Sequence, residues 1–131
     1  MELFDKTFNA IGKKLDLHLR RHAVLSSNVA NSETPNFRAR ELDFAGEMKR
    51  VLQMENSEVQ KTSSMHMDIG GNEGSHIVLD NTAAVGADGN NVDLDLSMGK
   101  MNANARAYTE AATLIEMKLR LLRMAAQGRG A

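Results

Sequence analysis

Residues 26–37 read Ser26-Ser27-Asn28-Val29-Ala30-Asn31-Ser32-Glu33-Thr34-Pro35-Asn36-Phe37, and they mark where a long helix must end. Asn and Ser side chains compete for backbone hydrogen bonds and loosen a helix from within. Pro35, the single proline of the chain, pushes Thr34 out of the helical region. With Pro second and Asn third, residues 34–37 suit a tight turn of type I or type II. The type II form needs a positive φ at Asn36, which Asn tolerates better than most residues. Either turn aims Phe37 back at the helices.

Working backward, Phe4, Phe8, Ile11, Leu15, His18, His22, Leu25 and Val29 recur at alternating steps of four and three. That spacing keeps them on one face of a helix. Ala10, Leu17 and Val24 add a second line seven residues apart. With no proline before position 35, the helix runs roughly 40 Å at ~1.5 Å per residue.

Working forward, the far end mirrors this one. Leu94, Met98, Met101, Ala105, Tyr108, Ala112, Ile115, Leu119, Leu122 and Ala126 again step by four and three, and Leu114, Met117, Leu121 and Met124 form a second line. Asp93 and Asp95 stand where an N-cap and the positive end of the helix dipole favour carboxylates. Arg120 and Arg123 stand where cations are favoured, and Gly128 and Gly130 let the helix stop. Between the two helices the pattern dissolves. Residues 44–52 suit a short amphipathic helix, His76-Ile77-Val78-Leu79 is the one β-like piece, and the rest is Gly-, Asn- and Ser-rich.

The reading is a mainly α unit over residues 1–131. It comprises an N-terminal helix (1–33), a turn, short helix and flexible acidic middle (34–92), and a C-terminal helix (93–127). The long helices pack as an antiparallel coiled-coil-like pair, and the middle is irregular with at most short β elements. So long a weakly patterned gap is expected to be disordered or ordered by a partner. Each helix carries two apolar lines while one partner covers only one, so apolar surface is left for assembly.

Composition narrows the function. The 131 residues leave room for one domain. Cysteine is absent, which removes disulfides, thiol nucleophiles and cysteine metal sites. The start Met1-Glu2-Leu3-Phe4-Asp5-Lys6 lacks the features of a cleaved secretory signal, and no stretch approaches the ~20 apolar residues of a membrane span. Net charge is −1, with basic ends around an acidic middle. The basic residues interleave with the apolar pattern, which suits a solvated helix face or charge matching between subunits better than nucleic-acid binding.

Candidate chemical sites fail on their details. His18 and His22, four apart, could hold a metal, but no third ligand accompanies them and they lie in the apolar stripe. Seam histidines with a local hydrogen bond are the expectation. Residues 70–75 are Gly-rich but lack the lysine of a phosphate loop. Residues 88–93 begin like a calcium loop, but Val92 replaces a ligand. The nine methionines suit adaptable contact surfaces. No catalytic residue, cofactor or metal is expected.

Ser27-Asn28-Val29-Ala30-Asn31 followed by Thr34-Pro35-Asn36-Phe37-Arg38-Ala39 resembles the N-terminal signature of flagellar axial proteins of the rod and hook. The usual form has Gly at position 36 and Tyr at 37. Asn for Gly is consistent with a positive φ, and Phe for Tyr keeps the ring but loses the hydroxyl. Arg40-Glu41-Leu42-Asp43-Phe44, the short length, and Asn91-Val92-Asp93-Leu94-Asp95 are most similar to the proximal rod members. The resemblance covers residues 1–45 and 90–127. It implies a family motif of Asn28, Ala30, Asn31, Thr34, Pro35, Asn36 and Phe37. The assembly stripe would be Phe4, Phe8, Ile11, Leu15, Leu25 and Val29 with Leu94, Met98, Met101, Ala105, Tyr108, Ala112, Ile115, Leu119 and Leu122.

The resemblance further implies a structural subunit of the periplasmic basal-body rod, exported by the flagellar type III apparatus without a cleaved signal peptide and folding on assembly. The implied partners are copies of itself, other rod proteins, the basal adapter protein and membrane ring, and the export apparatus, with no nucleic acid and no small-molecule substrate. Phe4-Asp5-Lys6-Thr7-Phe8 and Phe44-Ala45-Gly46-Glu47-Met48 both fit the short export element of such proteins. The rival reading is a soluble helical regulator or chaperone-like binding module, and an enzyme is a distant third.

Overall fold

The computed structural model describes residues 2–56 and 76–128. In chain order the elements are α1 (Glu2–Ala30), β1 (Arg40–Leu42), α2 (Phe44–Asn56), β2 (Ile77–Leu79) and α3 (Leu94–Ala126). The Gly-rich residues 70–75 and His66 lie outside the described residues.

The two long helices pack on one another as an antiparallel pair. Asn90, just before α3, bonds the backbone of residues 31–34 just after α1. Further along, Asn104 bonds His18. As one helix number rises the other falls, which fixes the direction. With His18 opposite Asn104, Glu2 stands opposite Arg120, so α3 outruns α1 over its last turn or more.

The buried line of α3 is Ser97, Asn104 and Ala111, spaced seven apart and made of small and polar side chains. Opposite it α1 buries Leu17, His18, Leu25 and Asn28. Small residues on one helix let the other approach closely. Asp93 caps α3 by accepting from the Leu96 N–H at 2.9 Å, and Gly128 leaves the helix with φ 63°.

The middle contributes an antiparallel two-stranded ribbon with Arg40 opposite Leu79, Glu41 opposite Val78 and Leu42 opposite Ile77. The sequence pattern anticipated β2 but not β1, whose Arg-Glu-Leu has no strand signature. The Asp80 N–H donates to the Ala39 carbonyl and the Asp43 N–H to the His76 carbonyl, both at 2.9 Å. In an antiparallel ladder these pairs alternate, so Glu41 and Val78 form the bonded pair between them. The backbone groups of Arg40 and Leu42 then point to one outer edge, and those of Ile77 and Leu79 to the other. Residues 76–93, expected to need a partner for order, are held by side chains of this same chain. α2 lies against α1, the Phe44 ring 4.5 Å from the His18 ring centroid.

Candidate functional site

The densest polar structure sits where α1 ends and α3 begins. Asn31 starts it: its Nδ2 donates to the Ser27 carbonyl at 2.8 Å, and its Oδ1 accepts from the Thr34 hydroxyl at 3.1 Å. The Phe37 N–H then donates to the Thr34 carbonyl at 3.2 Å, closing a tight turn in which Asn36 has φ 61°. The positive φ at the third position is that of a type II turn, and Asn accepts this region better than other non-glycine residues.

Residues 86–91 are plugged into that turn. Asn90, 6% exposed, donates from Nδ2 toward the carbonyls of Asn31, Ser32 and Thr34 at 2.9, 3.0 and 2.8 Å. Its Oδ1 accepts from the Val92 N–H at 2.7 Å. One amide thus gathers three carbonyls of the turn that follows α1; those of Asn31 and Thr34 also accept from the Thr34 and Phe37 N–H groups. The Asn36 N–H donates to the Asp88 carbonyl at 2.9 Å. Gly89 has φ 80°, and a Cβ there would come within 2.4 Å of Asn36 Oδ1, so glycine is required by both conformation and space.

Two further asparagines fasten the ribbon. Asn28, 2% exposed, accepts from the Arg40 N–H at 2.9 Å and donates to the Arg40 carbonyl at 2.7 Å. Its amide therefore stands in for a neighbouring strand along the outer edge of β1. Asn91, 3% exposed, accepts from the Ala39 N–H and donates to the Asp80 carbonyl, both at 2.7 Å, bridging the ribbon where its strands part.

Charged groups extend the joint. Arg21 on α1 grips Glu41 with two bonds of 2.8 and 3.2 Å. Lys100 on α3 lies 3.4 Å from Glu41 Oε2, the oxygen that also accepts from Arg21 Nη2, and it bonds Asp80 as well. Burial pushes the Asp80 carboxyl up, but bonds from Lys100 and Thr82 outweigh it and hold the group below its ordinary value. At the base of the ribbon Glu47 is buried. The backbone N–H of His76 holds its carboxyl below the ordinary value, opposed by burial and reinforced by Arg50.

Midway along the pair, His18 Nδ1 and Asn104 Oδ1 are 2.8 Å apart, and Asn104 Nδ2 donates to the His18 carbonyl at 2.8 Å. Since the amide oxygen can only accept, Nδ1 carries the proton. His22 is exposed and lines a cleft of about 250 Å³ with His18, Leu19, Asn104 and Tyr108. Among the described residues no three His, Asp or Glu side chains gather as a metal set, and no helix is long and apolar enough to cross a membrane.

This joint is built from the two ends of the chain at once, so a relative that shares it must match both. A flagellar basal body rod protein FlgB of Salmonella typhimurium is 31% identical over 123 residues, covering 87% of this chain and 88% of that one. The chain belongs to the FlgB family of flagellar basal body rod proteins. FlgB proteins of Proteus mirabilis (28% over 129 residues, 92% and 93% of the two chains) and Bacillus subtilis (29% over 111 residues, 82% and 83%) are also similar. No family model matches.

In this FlgB-family chain the motif residues divide by burial. Asn28 is buried, Asn31 and Phe37 are half-buried, and Ala30, Thr34, Pro35 and Asn36 are exposed. Of the proposed stripe on α1, Leu25 is buried, Phe8, Ile11, Leu15 and Val29 are half-buried, and the Phe4 side chain lies outside the described residues. On α3, Met101, Tyr108, Ala112, Ile115 and Leu122 are half-buried, while Leu94, Met98, Ala105 and Leu119 face outward. The buried line runs one position aside, through Ser97, Asn104 and Ala111.

Sequence reasoning did not single out Asn90, Asn104 or Gly89 as functional. Two signals were present: an Asn seven residues after Ser97 inside an otherwise regular helix, and a Gly-Asn-Asn run directly before an N-cap aspartate.

Proposed function

We propose that this chain is a structural subunit of the flagellar basal-body rod that crosses the envelope through the flagellar type III apparatus and completes its folding as it assembles. The observation that carries the reading is the second apolar line of α3. Leu114, Met117, Leu121 and Met124 are 51%, 55%, 57% and 41% exposed. They step by three and four along one face that α1 leaves uncovered. A continuous apolar row of this kind belongs in an interface, and close-packed helices of neighbouring copies would supply the cover. Ordering on assembly lets contact energy offset the entropy of folding. Copies of the chain, the other rod proteins, the basal adapter protein, the membrane ring and the export apparatus are the partners this role requires. The half-exposed Phe8, in the segment starting at Phe4, is a candidate export element.

Imaging of intact basal bodies carrying a small tag on this chain tests the reading. Label at the rod base, and a non-motile deletion strain restored by the tagged gene, are expected. A discrete soluble oligomer with no label on basal bodies would instead support the helical regulator. Removal of residues 2–8 should stop secretion, and normal secretion would rule that segment out as the export element.

A further inference from the structure

Two surfaces of the molecule, far apart on it, have opposite character. Where α2 lies against α1, Phe44, Met48 and Leu52 step by four along α2 and wall an open groove of about 570 Å³. Lys14 of α1 and Lys49 of α2 form its rim, and among the described residues neither has an ion-pair partner. The start of α3 is an apolar ridge instead. Leu94 and Met98 also step by four and are 48% and 45% exposed. Asp95 stands exposed beside them, with no described cation against it, and the cap Asp93 adds a second negative charge. Side chains four apart on one helix form the ridges that seat in the grooves of another. Here the groove carries unpaired cations and the ridge carries carboxylates, which fixes the sign of the match.

We propose that the start of α3 in one copy docks into the α1–α2 groove of the next, with Leu94 and Met98 against Phe44, Met48 and Leu52. Asp95 then lies among the two rim lysines. With His18 opposite Asn104, Lys14 stands level with Tyr108. The ridge centred on Leu96 is about a dozen residues further along α3, ~18 Å at the helical rise. A chain cannot bring its own ridge to its own groove across that distance, so the match is made between copies. Because each copy uses one surface to give and another to receive, the contact is heterologous. The axial offset between the two surfaces displaces each copy along the pair relative to the last. Repetition therefore builds a staggered open row rather than a closed dimer. The inference rests on the rod reading and names one contact by which copies would line up. It leaves the exposed row Leu114, Met117, Leu121 and Met124 available to other neighbours.

The chain has no cysteine, which permits a clean test on the full-length protein. Leu52→Cys and Met98→Cys, both at exposed positions, are oxidised separately and as a mixture. The mixture should cross-link at least tenfold faster than either variant alone. It should also outpace, by the same factor, a mixture of Leu52→Cys with Ala103→Cys, an exposed position on another flank of α3. The double variant Leu52→Cys/Met98→Cys should give a ladder of dimers, trimers and longer species. A mixture no faster than the control would overturn the proposal. So would either single variant linking to itself as fast as the mixture, since that describes a two-fold contact. In a companion set, Lys49→Glu and Asp95→Lys should each weaken association tenfold by sedimentation, and the double variant should restore it to within about threefold. Loss in the singles without restoration would overturn the pairing of groove with ridge. If a charge variant loses helicity, the cysteine rates decide alone. Label on basal bodies without a ladder would defeat this contact and spare the rod reading, and a ladder without label would do the reverse.

Discussion

At the end of the pair where α1 hands over to the turn, nearly every freed backbone group has a named partner. Asn90 takes three carbonyls, Asn28 and Asn91 tie down the ribbon, and Asn36 holds the loop through Asp88. Toward the opposite end α3 exposes Leu114 and Met117 on a flank that α1 leaves uncovered, and Leu121 and Met124 where it outruns its partner. The first end is closed by directional bonds that only this chain's own residues satisfy. The second is left apolar, non-directional and adaptable, with two methionines in four positions. A subunit that must keep one internal geometry while meeting several neighbours needs both kinds of end.

The comparison can be broken most directly at Asn90. Asn90→Ala leaves the Asn31 and Thr34 carbonyls their bonds from the Thr34 and Phe37 N–H groups but strands the Ser32 carbonyl and the Val92 N–H, and should cost about 3 kcal/mol in denaturant unfolding, given ~1–3 kcal/mol for each unsatisfied buried group. Asn102→Ala on the exposed face of α3 should stay within about 0.5 kcal/mol. Equal effects would mean that the joint does not organise the fold.

Gly89→Ala comes next. It combines a positive φ with contact against Asn36 and should cost about 1–3 kcal/mol, the usual range for backbone strain of this kind. Pairing it with Asn36→Gly should recover part of the loss, since Asn36 supplies the contacting oxygen. Failure to recover would assign the whole cost to the backbone.

Acid should loosen the ribbon before the helices. Glu47 and Asp80 are held below their ordinary values of 4.5 and 3.8. Groups lowered on folding stabilise the native state above the unfolded pKa, and that contribution is lost as pH falls through the folded value. Stability should therefore decline from about pH 4.5 downward, and Glu47→Gln should flatten the decline while lowering stability near neutrality. An unchanged acid slope in that variant would remove Glu47 from the account.

The smallest effect on the isolated chain is expected at the open end, with the largest consequence for assembly. Leu121→Glu alters a side chain that touches little in the monomer and should shift its stability by less than about 0.5 kcal/mol. Motility and rod completion should nevertheless fail at normal secreted levels, because the same defect recurs in every subunit. A swimming strain would show that this face stays exposed after assembly.

Much of this molecule was legible in its residues. Helix existence and ends follow from local rules: periodic apolar spacing, Asp93 as a cap, Pro35 and the Asn-Ser cluster as a stop. The turn at residues 34–37 was readable for the same reason, with type I and type II both open, and the structure takes the type II form with its positive φ at Asn36. The seam was displaced from its expected line. Helical spacing selects large apolar side chains, but the α3 face against α1 is chosen by close approach, which favours Ser97 and Ala111, and by the reciprocal bond of Asn104 with His18.

The sequence by itself therefore determined two long helices, their antiparallel return, the turn between them and the family signature, all of them properties of neighbours along the chain. Only the tertiary structure decided that Arg40–Leu42 is a strand, that Asn28, Asn90 and Asn91 act as backbone substitutes, and that Glu41 is shared by Arg21 and Lys100. Those outcomes depend on partners 12 to 59 residues away in the chain. An asparagine amide looks the same in sequence whether it faces water or completes a sheet, and only burial beside an unpaired backbone group distinguishes the two.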